Sequence, residues 1–407
     1  MGKEEFQTRV GQTSSVKNVR DSLLADVERT LFGPQARIGK DEIEKARSAM
    51  CKLLVPEYEA GVPAFKSLPE AYIHMTGDLD ITGMFNPGGV SKGLRSCMDF
   101  NSSSFGYALG DAMSMQLSKA YKGFPYHEEV LISEKKKAVD FREIHSVQLG
   151  YLGDLPDVDP ETSDYESIAS YDDTEATYRL GQKGAIISVT RRIITNDSIG
   201  LIQAMTKRMA RAARMTHARY VWDAFISNTT CPDGTGWFTE AHGNLGTDAL
   251  DYSPLVTAIT ALANMTEPGS DEKIGLDLGT FNWHLVVPVA LWELAVQKNQ
   301  GKSHYSLNDL TSKTINACYR LFGEFNERIV TCPFLTDAND WGVIRDKEDV
   351  PIVEMSYLNG QEDPELILTQ GPKDTMAFVA DKLGYKIRHE YGGVLAGYRG
   401  GYKSAVG

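Results

Sequence analysis

The sequence lacks the features that mark several common classes of protein. Its net charge is −13, so it has no general excess of the Lys and Arg with which proteins that coat nucleic acid displace counterions from phosphates. The five cysteines are widely spaced and contain no C-x-x-C pair: Cys51, Cys97, Cys231, Cys318 and Cys332. We therefore expect reduced, buried thiols rather than a disulfide framework or a zinc site.

Long apolar runs are also missing. The N-terminus has no apolar signal core, and the most apolar run, at 284–296, is interrupted by Pro288 and Glu293 and is too short to cross a bilayer. These absences predict a soluble chain that is made inside the cell and has no membrane partner. With 407 residues, of which 42% are hydrophobic and 24% charged, the chain can form two or three structural units with a buried core.

Sequence motifs for cofactor chemistry are weak. Gly33 to Asp41 resembles a phosphate-binding loop, but five residues separate its glycines and Asp41 stands where Ser or Thr should hold magnesium. Asp78 and Asp80 form a D-x-D pair with no other acid close by. The C-terminal glycines do not form G-x-G-x-x-G, and fit turns and close packing between strands instead. We expect no cofactor.

No set of acid, base and nucleophile emerges either. The eight histidines show no local metal-ligand spacing, and His242, near Asp233, is the best candidate base but has no accompanying nucleophile motif. The sequence therefore predicts no catalytic residue, no metal site and no enzyme activity. The rival hypothesis is a metal-dependent transferase or hydrolase that uses Asp78, Asp80 and His242.

Two neighbouring segments each lack charge of one sign. Residues 152–178 contain nine acids and no Lys or Arg, whereas no acid lies between Ser198 and Trp222. Opposed charges on neighbouring segments favour binding between copies of the chain. The residues that we expect to form contacts between subunits are Asp154, Asp157, Asp159, Glu161, Asp164, Glu166, Lys207, Arg208, Arg211, Arg214 and Arg219.

Hydrophobic periodicity indicates how the first half of the chain is organised. Residues 1–20 are polar and aperiodic, which is typical of an extended arm, and helical spacing follows at 21–60, broken at Gly33-Pro34, and at about 105–121. From Val139 the period changes to two. Strands near 147–151 and 187–189 flank the acidic segment, so we predict an extended hairpin; a mobile surface loop is the alternative.

The basic segment predicts one long helix from about 197 to 227, which Asn196 or Asp197 can cap. About thirty residues at 1.5 Å each give roughly 45 Å. Its basic residues either need partners elsewhere or form an ordinary solvated face. The predicted buried stripe is Ile199, Ile202, Met205, Met209, Ala213, Thr216 and Tyr220.

The rest of the chain alternates helices and strands. Helical spacing occurs at about 255–265 and from Pro288 to about Lys298, and strands are predicted near 285–287, 327–330, 341–344 and 352–357. Residues 377–406 are strand-like and rich in glycine. This alternation predicts an α+β fold.

Several stretches, in order along the chain, carry a family resemblance. GAIISVTRRIITNDSIG at 184–200 leads into the predicted helix, and DGTGWF at 233–238 with HGNL at 242–245 follows it. HLVVPVAL at 284–291, VEMSYLNGQEDP at 353–364 and YKIRHEYG at 385–392 come next, and 99–117 and 140–141 agree upstream. Over residues 95–407 the chain resembles the major capsid proteins of tailed bacteriophages, specifically the Mu-like major head subunit group.

This resemblance implies the Hong Kong 97-type capsid fold, which has an N-terminal arm, an extended loop, a peripheral domain on a long spine helix, and an axial domain. The implied parts are an arm or appended segment at 1–94, the entry helix and strand of the peripheral domain at 95–144, the extended loop at 145–183, the peripheral domain with spine helix at 184–250, the axial domain at 251–375, and return strands of the peripheral domain at 376–407.

The resemblance also implies a function. It predicts a non-enzymatic head-shell protein that forms hexamers and pentamers of an icosahedral head around double-stranded DNA, without sequence-specific DNA binding. Its partners would be copies of itself, with portal, scaffold and decoration proteins as further candidates, and its location the virion after assembly in the host cytoplasm. An encapsulin-type nanocompartment is the alternative with the same fold.

The sequence departs from the family in two respects, and these limit which family properties we expect in this chain. Residues 1–94 do not resemble any part of the family's sequences. Some relatives form a covalent lysine–asparagine cross-link through the extended loop, but residues 142–182 contain no lysine here. We therefore do not expect this cross-link to form through this loop.

Overall fold

The computed structural model describes residues 40–58, 63–76, 102–148, 174–190, 192–193, 196, 198–268, 273–274, 282–306, 309–347, 350–368 and 382–406. Within these ranges helices and strands are mixed, which confirms the α+β class. Several predicted features lie outside the described residues, namely the arm at 1–20, the stretch 33–39, Cys97, Asp78, Asp80, and the acidic contact residues from Asp154 to Glu166.

The elements are numbered in chain order. The α-helices are α1 (Lys40–Leu54), α2 (Leu68–Thr76), α3 (Ser102–Lys122), α4 (Ile199–Ile226), α5 (Tyr252–Ala263) and α6 (Trp292–Gln300). The strands are β1 (Ile132–Ala138), β2 (Ile144–Gln148), β3 (Thr174–Tyr178), β4 (Gly181–Thr190), β5 (Leu245–Gly246), β6 (His284–Val287), β7 (Ser303–Ser306), β8 (Asp309–Ile315), β9 (Ile329–Thr331), β10 (Trp341–Ile344), β11 (Val353–Leu358), β12 (Glu365–Leu368), β13 (Lys382–Leu395) and β14 (Gly401–Ser404).

The chain divides into two compact units. The first comprises residues 1–124, 182–214 and 363–389, and the second comprises 125–181, 215–362 and 390–407. Helix α4 and strand β13 each contribute residues to both units.

The first unit is built around helices α1, α2 and α3. In α1, Ala46, Ala49, Met50 and Leu54 recur at helical spacing and are buried in one apolar cluster. The α2 and α3 helices, β4, the first half of α4 and Tyr385 of β13 add to the same cluster. The helix predicted at about 105–121 is thereby confirmed, and so is a helix within 21–60 after the break at Gly33-Pro34.

The second unit contains two sheets. In one, β1 runs parallel to β11, which pairs antiparallel with the last residues of β13. The other has the order β5-β14-β10-β6-β9, and β7 and β8 form a separate two-stranded ribbon. The predicted helix at 255–265 and strands at 285–287, 341–344 and 352–357 are confirmed within a residue or three. The cysteines that the structure describes, Cys51, Cys231, Cys318 and Cys332, are buried free thiols, as expected.

The predicted hairpin exists, but its second strand differs from the prediction. Strand β2 pairs antiparallel with β3, from Ile144 opposite Tyr178 to Gln148 opposite Thr174. The predicted partner near 187–189 lies in β4, which pairs with β13 instead. The hairpin therefore closes earlier than predicted, and residues 149–173 between its strands lie outside the described residues.

The long helix is confirmed at Ile199–Ile226, but its buried stripe is only partly as predicted. Ser198 precedes the helix and its carbonyl accepts the N–H groups of Leu201 and Ile202, so Ser198 rather than Asn196 occupies the cap position. In the second unit, Thr216 and Tyr220 are exposed, whereas the helix buries His217, Ala218, Val221, Trp222 and Phe225. The stripe prediction is wrong there because the aromatic core of the second unit packs against a different face of the helix.

The C-terminal glycines allow close packing between strands, as predicted. A Cβ atom on Gly393 would lie 2.8 Å from the carbonyl oxygen of Glu354 and would also overlap the sulfur of Met355. These atoms belong to the neighbouring strand β11, so backbone would have to move to accommodate any side chain.

Gly393→Ala is therefore expected to lower the free energy of unfolding by about 1–3 kcal/mol through overpacking. Gly200→Ala is the matched control, because nothing lies within 4 Å of a Cβ atom at that helical position. There the same substitution should raise the free energy of unfolding by about 0.5 kcal/mol. Urea denaturation measures both, and equal effects at the two positions would contradict the close-packing argument.

Candidate interaction surface

The basic contact residues of α4 have unequal surroundings. In the first unit, Lys207, Arg208 and Arg211 are exposed, whereas Ile202, Thr206 and Ala210 are buried on another side of the helix. Among the residues that the structure describes, Lys207 and Arg208 have no acidic partner. The three exposed cations thus form a basic face on α4 that is available to an anionic partner.

Arg214 differs from Lys207 and Arg208 because its own unit engages it. Arg211 is intermediate, since its guanidinium lies 5.9 Å from the centroid of the Phe124 ring. The Nε of Arg214 donates a hydrogen bond to the carbonyl oxygen of Phe124 at 3.3 Å, and its guanidinium lies 5.2 Å from the centroid of the Tyr121 ring. Arg214 is half-buried. It therefore supports the fold of the first unit and is a poor candidate for a contact between subunits.

Arg219 lies in the second unit and is not part of the basic face. Its guanidinium lies 5.5 Å from the centroid of the Phe334 ring, and the side chain is exposed. Asp223, one turn further along the helix, is exposed as well. The surface around Arg219 therefore carries both signs of charge, unlike the surface around Lys207 and Arg208.

The acidic partners predicted between Asp154 and Glu166 lie outside the described residues, but the structure describes the root of the hairpin that carries them. At this root, Glu143 pairs with Arg179 at 2.8 Å, and His145 pairs with Glu175. These side chains are exposed on the hairpin. The described root of the hairpin therefore carries acidic side chains that are already paired with basic ones.

The side chain of Glu354, a buried carboxylate that the sequence did not reveal, forms hydrogen bonds with this root. Glu354 of β11 accepts hydrogen bonds from Lys136 at 2.7 Å, from Ser146 at 2.5 Å and from Tyr178 at 2.7 Å. Burial acts to raise the pKa of Glu354, but these hydrogen bonds and the Lys136 charge outweigh it and hold the pKa below its usual value. Burial also raises the pKa of Tyr178 well above its ordinary value. Glu354 therefore remains ionised at neutral pH.

Sequence alone did not single out Glu354, because an acid in an apolar strand pattern is usually solvent-exposed. The sequence does contain one indication. Glu354 stands between Val353 and Met355 in a strand, and side chains of a strand alternate between the two faces of a sheet, so Glu354 lies on the face opposite to both neighbours. Its partners Lys136 and Tyr178 are distant in sequence, and only the fold brings them together.

The candidate base His242 occupies a position unsuited to catalysis. Its Nδ1 lies 3.2 Å from the carbonyl oxygen of Trp237, and its Nε2 lies 2.7 Å from Asp233 and 3.0 Å from the hydroxyl of Thr235. The ring stacks on Tyr398 with centroids 3.8 Å apart. Both nitrogens are engaged and the side chain is almost buried, so no lone pair faces a substrate.

The Asp233–His242 pair instead closes the loop that follows α4. Burial acts to raise the pKa of Asp233, but hydrogen bonds from the backbone N–H and hydroxyl of Thr235 and from His242 hold the pKa below its usual value. Within the described ranges there is no group of three or more His, Cys, Asp or Glu side chains that could hold a metal ion. Nor does any helix there have the length and apolar character to cross a membrane.

Comparison with solved structures finds proteins from several capsids and related particles, all at low sequence identity. The procapsid of bacteriophage JBD30 is 12% identical, with 73% of this chain and 75% of that chain covered and a TM-score of 0.38. The capsid of the empty GTA particle is 14% identical, with 70% and 91% covered and a TM-score of 0.42. The encapsulin from Synechococcus elongatus PCC 7942 is 10% identical, with 69% and 87% covered and a TM-score of 0.41.

The family comparison is more specific. None of the curated proteins matches the chain. The family model described as phage capsid protein, however, matches residues 174–404, which are more than half of the chain and extend from β3 to β14. The chain therefore belongs to the phage capsid protein family and is a structural protein, the major capsid protein of a bacteriophage shell.

Proposed function

We propose that this chain is a Mu-like major head subunit with the Hong Kong 97-type fold. Its copies assemble into hexamers and pentamers that close into an icosahedral head around double-stranded DNA. The observation that most supports this role is a hairpin followed in series by a 28-residue helix, of which the second hairpin strand and the whole helix lie in the family-matched region. Shells of this kind need long elements that reach neighbouring subunits, because heterologous contacts must close into rings.

In this proposal, the division of the chain follows the family order. The arm or appended segment is 1–94, the peripheral entry elements 95–144, and the extended loop 145–183. The peripheral domain with its spine helix is 184–250, the axial domain 251–375, and the return strands 376–407. On this division the described hairpin root, apart from Ile144, would belong to the extended loop, and α4 would be the spine helix.

The contact between subunits that we propose joins the acidic loop of one copy to the basic face of α4 on the next. The loop carries Asp154, Asp157, Asp159, Glu161, Asp164 and Glu166. The basic face offers Lys207, Arg208 and Arg211, exposed on the first unit. Each exposed pair contributes only a few tenths of a kcal/mol to about 1 kcal/mol, so many weak contacts act together. Weak individual contacts also let misplaced subunits leave during assembly.

The negative net charge of −13 fits a shell that encloses DNA without binding it tightly. A strongly basic interior would attract the packaged phosphates and oppose both packing and release. Portal, scaffold and decoration proteins are the further partners of such a shell. The assembled product is a virion component, formed in the host cytoplasm.

Expression of the full chain, alone and with its portal and scaffold partners, tests this function directly. We expect closed particles of uniform diameter with rings of five and six subunits, seen by electron microscopy of the purified product. A product that stays monomeric even with those partners present would contradict the proposal. Particles that enclose an enzyme instead of DNA in the native host would indicate the encapsulin-type alternative.

A further inference from the structure

Glu354 joins three separate elements at the root of the hairpin. The side chain is 4% exposed. Its Oε2 accepts from Lys136 of β1 and Ser146 of β2, while its Oε1 accepts from Tyr178 of β3. Because the Tyr178 hydroxyl donates its one proton to Glu354, it accepts from Ser356 at 2.6 Å. One buried carboxylate therefore connects both hairpin strands to the sheet.

Few apolar side chains hold this hairpin: of its described residues Ala176 and Tyr178 are buried and Ile144 is half-buried. The hydrophobic clusters formed by the described residues include no residue of β2 or β3. The two strands pair with each other and with no other strand in the described ranges. The outward side chains His145, Val147 and Thr177 are exposed. An isolated two-stranded hairpin is at best marginally stable in water, so its direction depends on the polar contacts at Glu354.

A cleft beside the hairpin gives it space to tilt. The cleft has a volume of about 340 Å³. Ser146 and Val147 line it on the hairpin side, and Ile274, Pro351 and Arg399 line it elsewhere. A root that packed against a filled core could not tilt, because interiors at native density leave no room. Here the hairpin borders open volume, and the Glu354 hydrogen bonds oppose its movement.

We propose that Glu354 is a positioning residue that fixes the direction in which the acidic loop leaves the subunit. With Glu354 in place, the described hairpin root keeps one orientation; without it, we expect the root to tilt and the contact proposed above between neighbouring copies to be lost. This inference rests on the proposed assembly function and adds the residue on which its loop contact depends.

The test compares Glu354→Gln with Glu134→Gln in the full chain. Glutamine keeps the shape of Glu354 but removes the charge and turns an N–H donor toward Lys136 or Ser146. Glu134 is the matched control because it also pairs with Lys136, at 3.4 Å, yet is exposed and has no described bond to the hairpin. Amide hydrogen exchange of 144–148 and 174–178 is measured in the unassembled subunit, and particle yield is measured separately.

We expect Glu354→Gln to accelerate exchange in both segments by about tenfold, with little change in the core of either unit. Its particle yield should fall by a similar factor, whereas Glu134→Gln should match the wild type in both measurements. If Glu354→Gln does not fold, Tyr178→Phe removes one of the three hydrogen bonds and should accelerate exchange in the same segments by about threefold.

Unchanged exchange in the hairpin, or equal acceleration throughout the chain, would overturn the positioning role. Faster hairpin exchange with a normal particle yield would overturn the link to assembly. A wild-type chain that forms no particles would contradict the proposed shell function, while the exchange comparison would still decide whether Glu354 holds the hairpin.

Discussion

Replacing both Lys207 and Arg208 by Glu is expected to abolish particle formation while leaving the fold of the subunit intact. Both side chains are exposed, and neither has an acidic partner among the described residues. Exposed substitutions of this kind usually change the free energy of unfolding by less than about 0.5 kcal/mol. If the acidic loop of a neighbour binds here, reversal turns attraction into repulsion at every such contact in the shell.

The loss of particles should be large because the same charge repulsion recurs at each contact between subunits. A single exposed ion pair contributes at most about 1 kcal/mol, but a closed shell repeats the contact many times and assembles only if most copies form it. Sedimentation and electron microscopy measure the particle yield, and thermal unfolding of the unassembled subunit measures its stability. We expect no particles and a melting temperature close to that of the wild type.

Lys45→Glu with Lys66→Glu is the control for net charge. Both residues are exposed in the first unit, so this double substitution changes the charge by the same amount at a different surface. It should leave particle yield within about twofold of the wild type, since scattered surface charges contribute little. Equal loss from the two double variants would show that net charge, rather than the basic face, controls assembly. Normal assembly of the variant with both Lys207 and Arg208 replaced by Glu would contradict the proposed contact.

The choice of these two residues depends on the structure. From the sequence, Arg208, Arg211 and Arg214 are equally good candidates for charge reversal. Arg214, however, donates to the carbonyl of Phe124 and lies over the ring of Tyr121. Its reversal would place a carboxylate against a carbonyl oxygen and an aromatic face, so that loss of assembly could arise from damage to the fold.

Trp222→Ala is expected to lower the free energy of unfolding by about 3–5 kcal/mol, the largest effect on stability that we predict. The Trp222 side chain is fully buried in the core of the second unit. Its ring packs edge-on against Phe225 with centroids 6.1 Å apart, and its indole N–H donates to the carbonyl oxygen of Tyr126 at 3.0 Å. The substitution removes the packing and leaves that buried carbonyl without its donor.

Trp292→Ala provides the control, because the same side chain is removed at a position that is 52% exposed. It should cost about half as much or less, since about half of its surface is already in water. Urea denaturation of the unassembled subunit gives both values. A cost for Trp222→Ala no greater than that for Trp292→Ala would mean that Trp222 is not part of the core.

Regular amphipathic patterns in the sequence were sufficient to predict the longest elements. The helix at Ile199–Ile226 was predicted within two residues at each end, and the helix at Ser102–Lys122 within three. Local sequence decides such elements because a long apolar periodicity cannot be satisfied by another secondary structure. The order of elements and the family resemblance also came from the sequence, and the family match over 174–404 agrees with the wider assignment to phage capsid proteins.

Strand pairing was predicted less well. The family resemblance implied a strand within 95–144, but the residue pattern did not locate β1 because Lys135, Lys136 and Lys137 interrupt any apolar alternation. These lysines are tolerated because β1 pairs on one side with β11, and Lys135 and Lys136 bond Glu362 and Glu354. The hairpin was paired with the wrong strand because β3 forms the end of the acidic segment, whose charge hides it, whereas β4 follows that segment and shows apolar alternation.

By itself, the sequence determined the α+β class, the long basic helix, the acidic segment before it and the family to which the chain belongs. These features follow from local periodicity, charge and the order of motifs. Only the tertiary structure decided which face of the helix is buried, which of its cations remain exposed, and that Glu354 joins Lys136, Ser146 and Tyr178. The physical reason is that burial and hydrogen bonding depend on groups far apart in the chain, whose meeting no local pattern records.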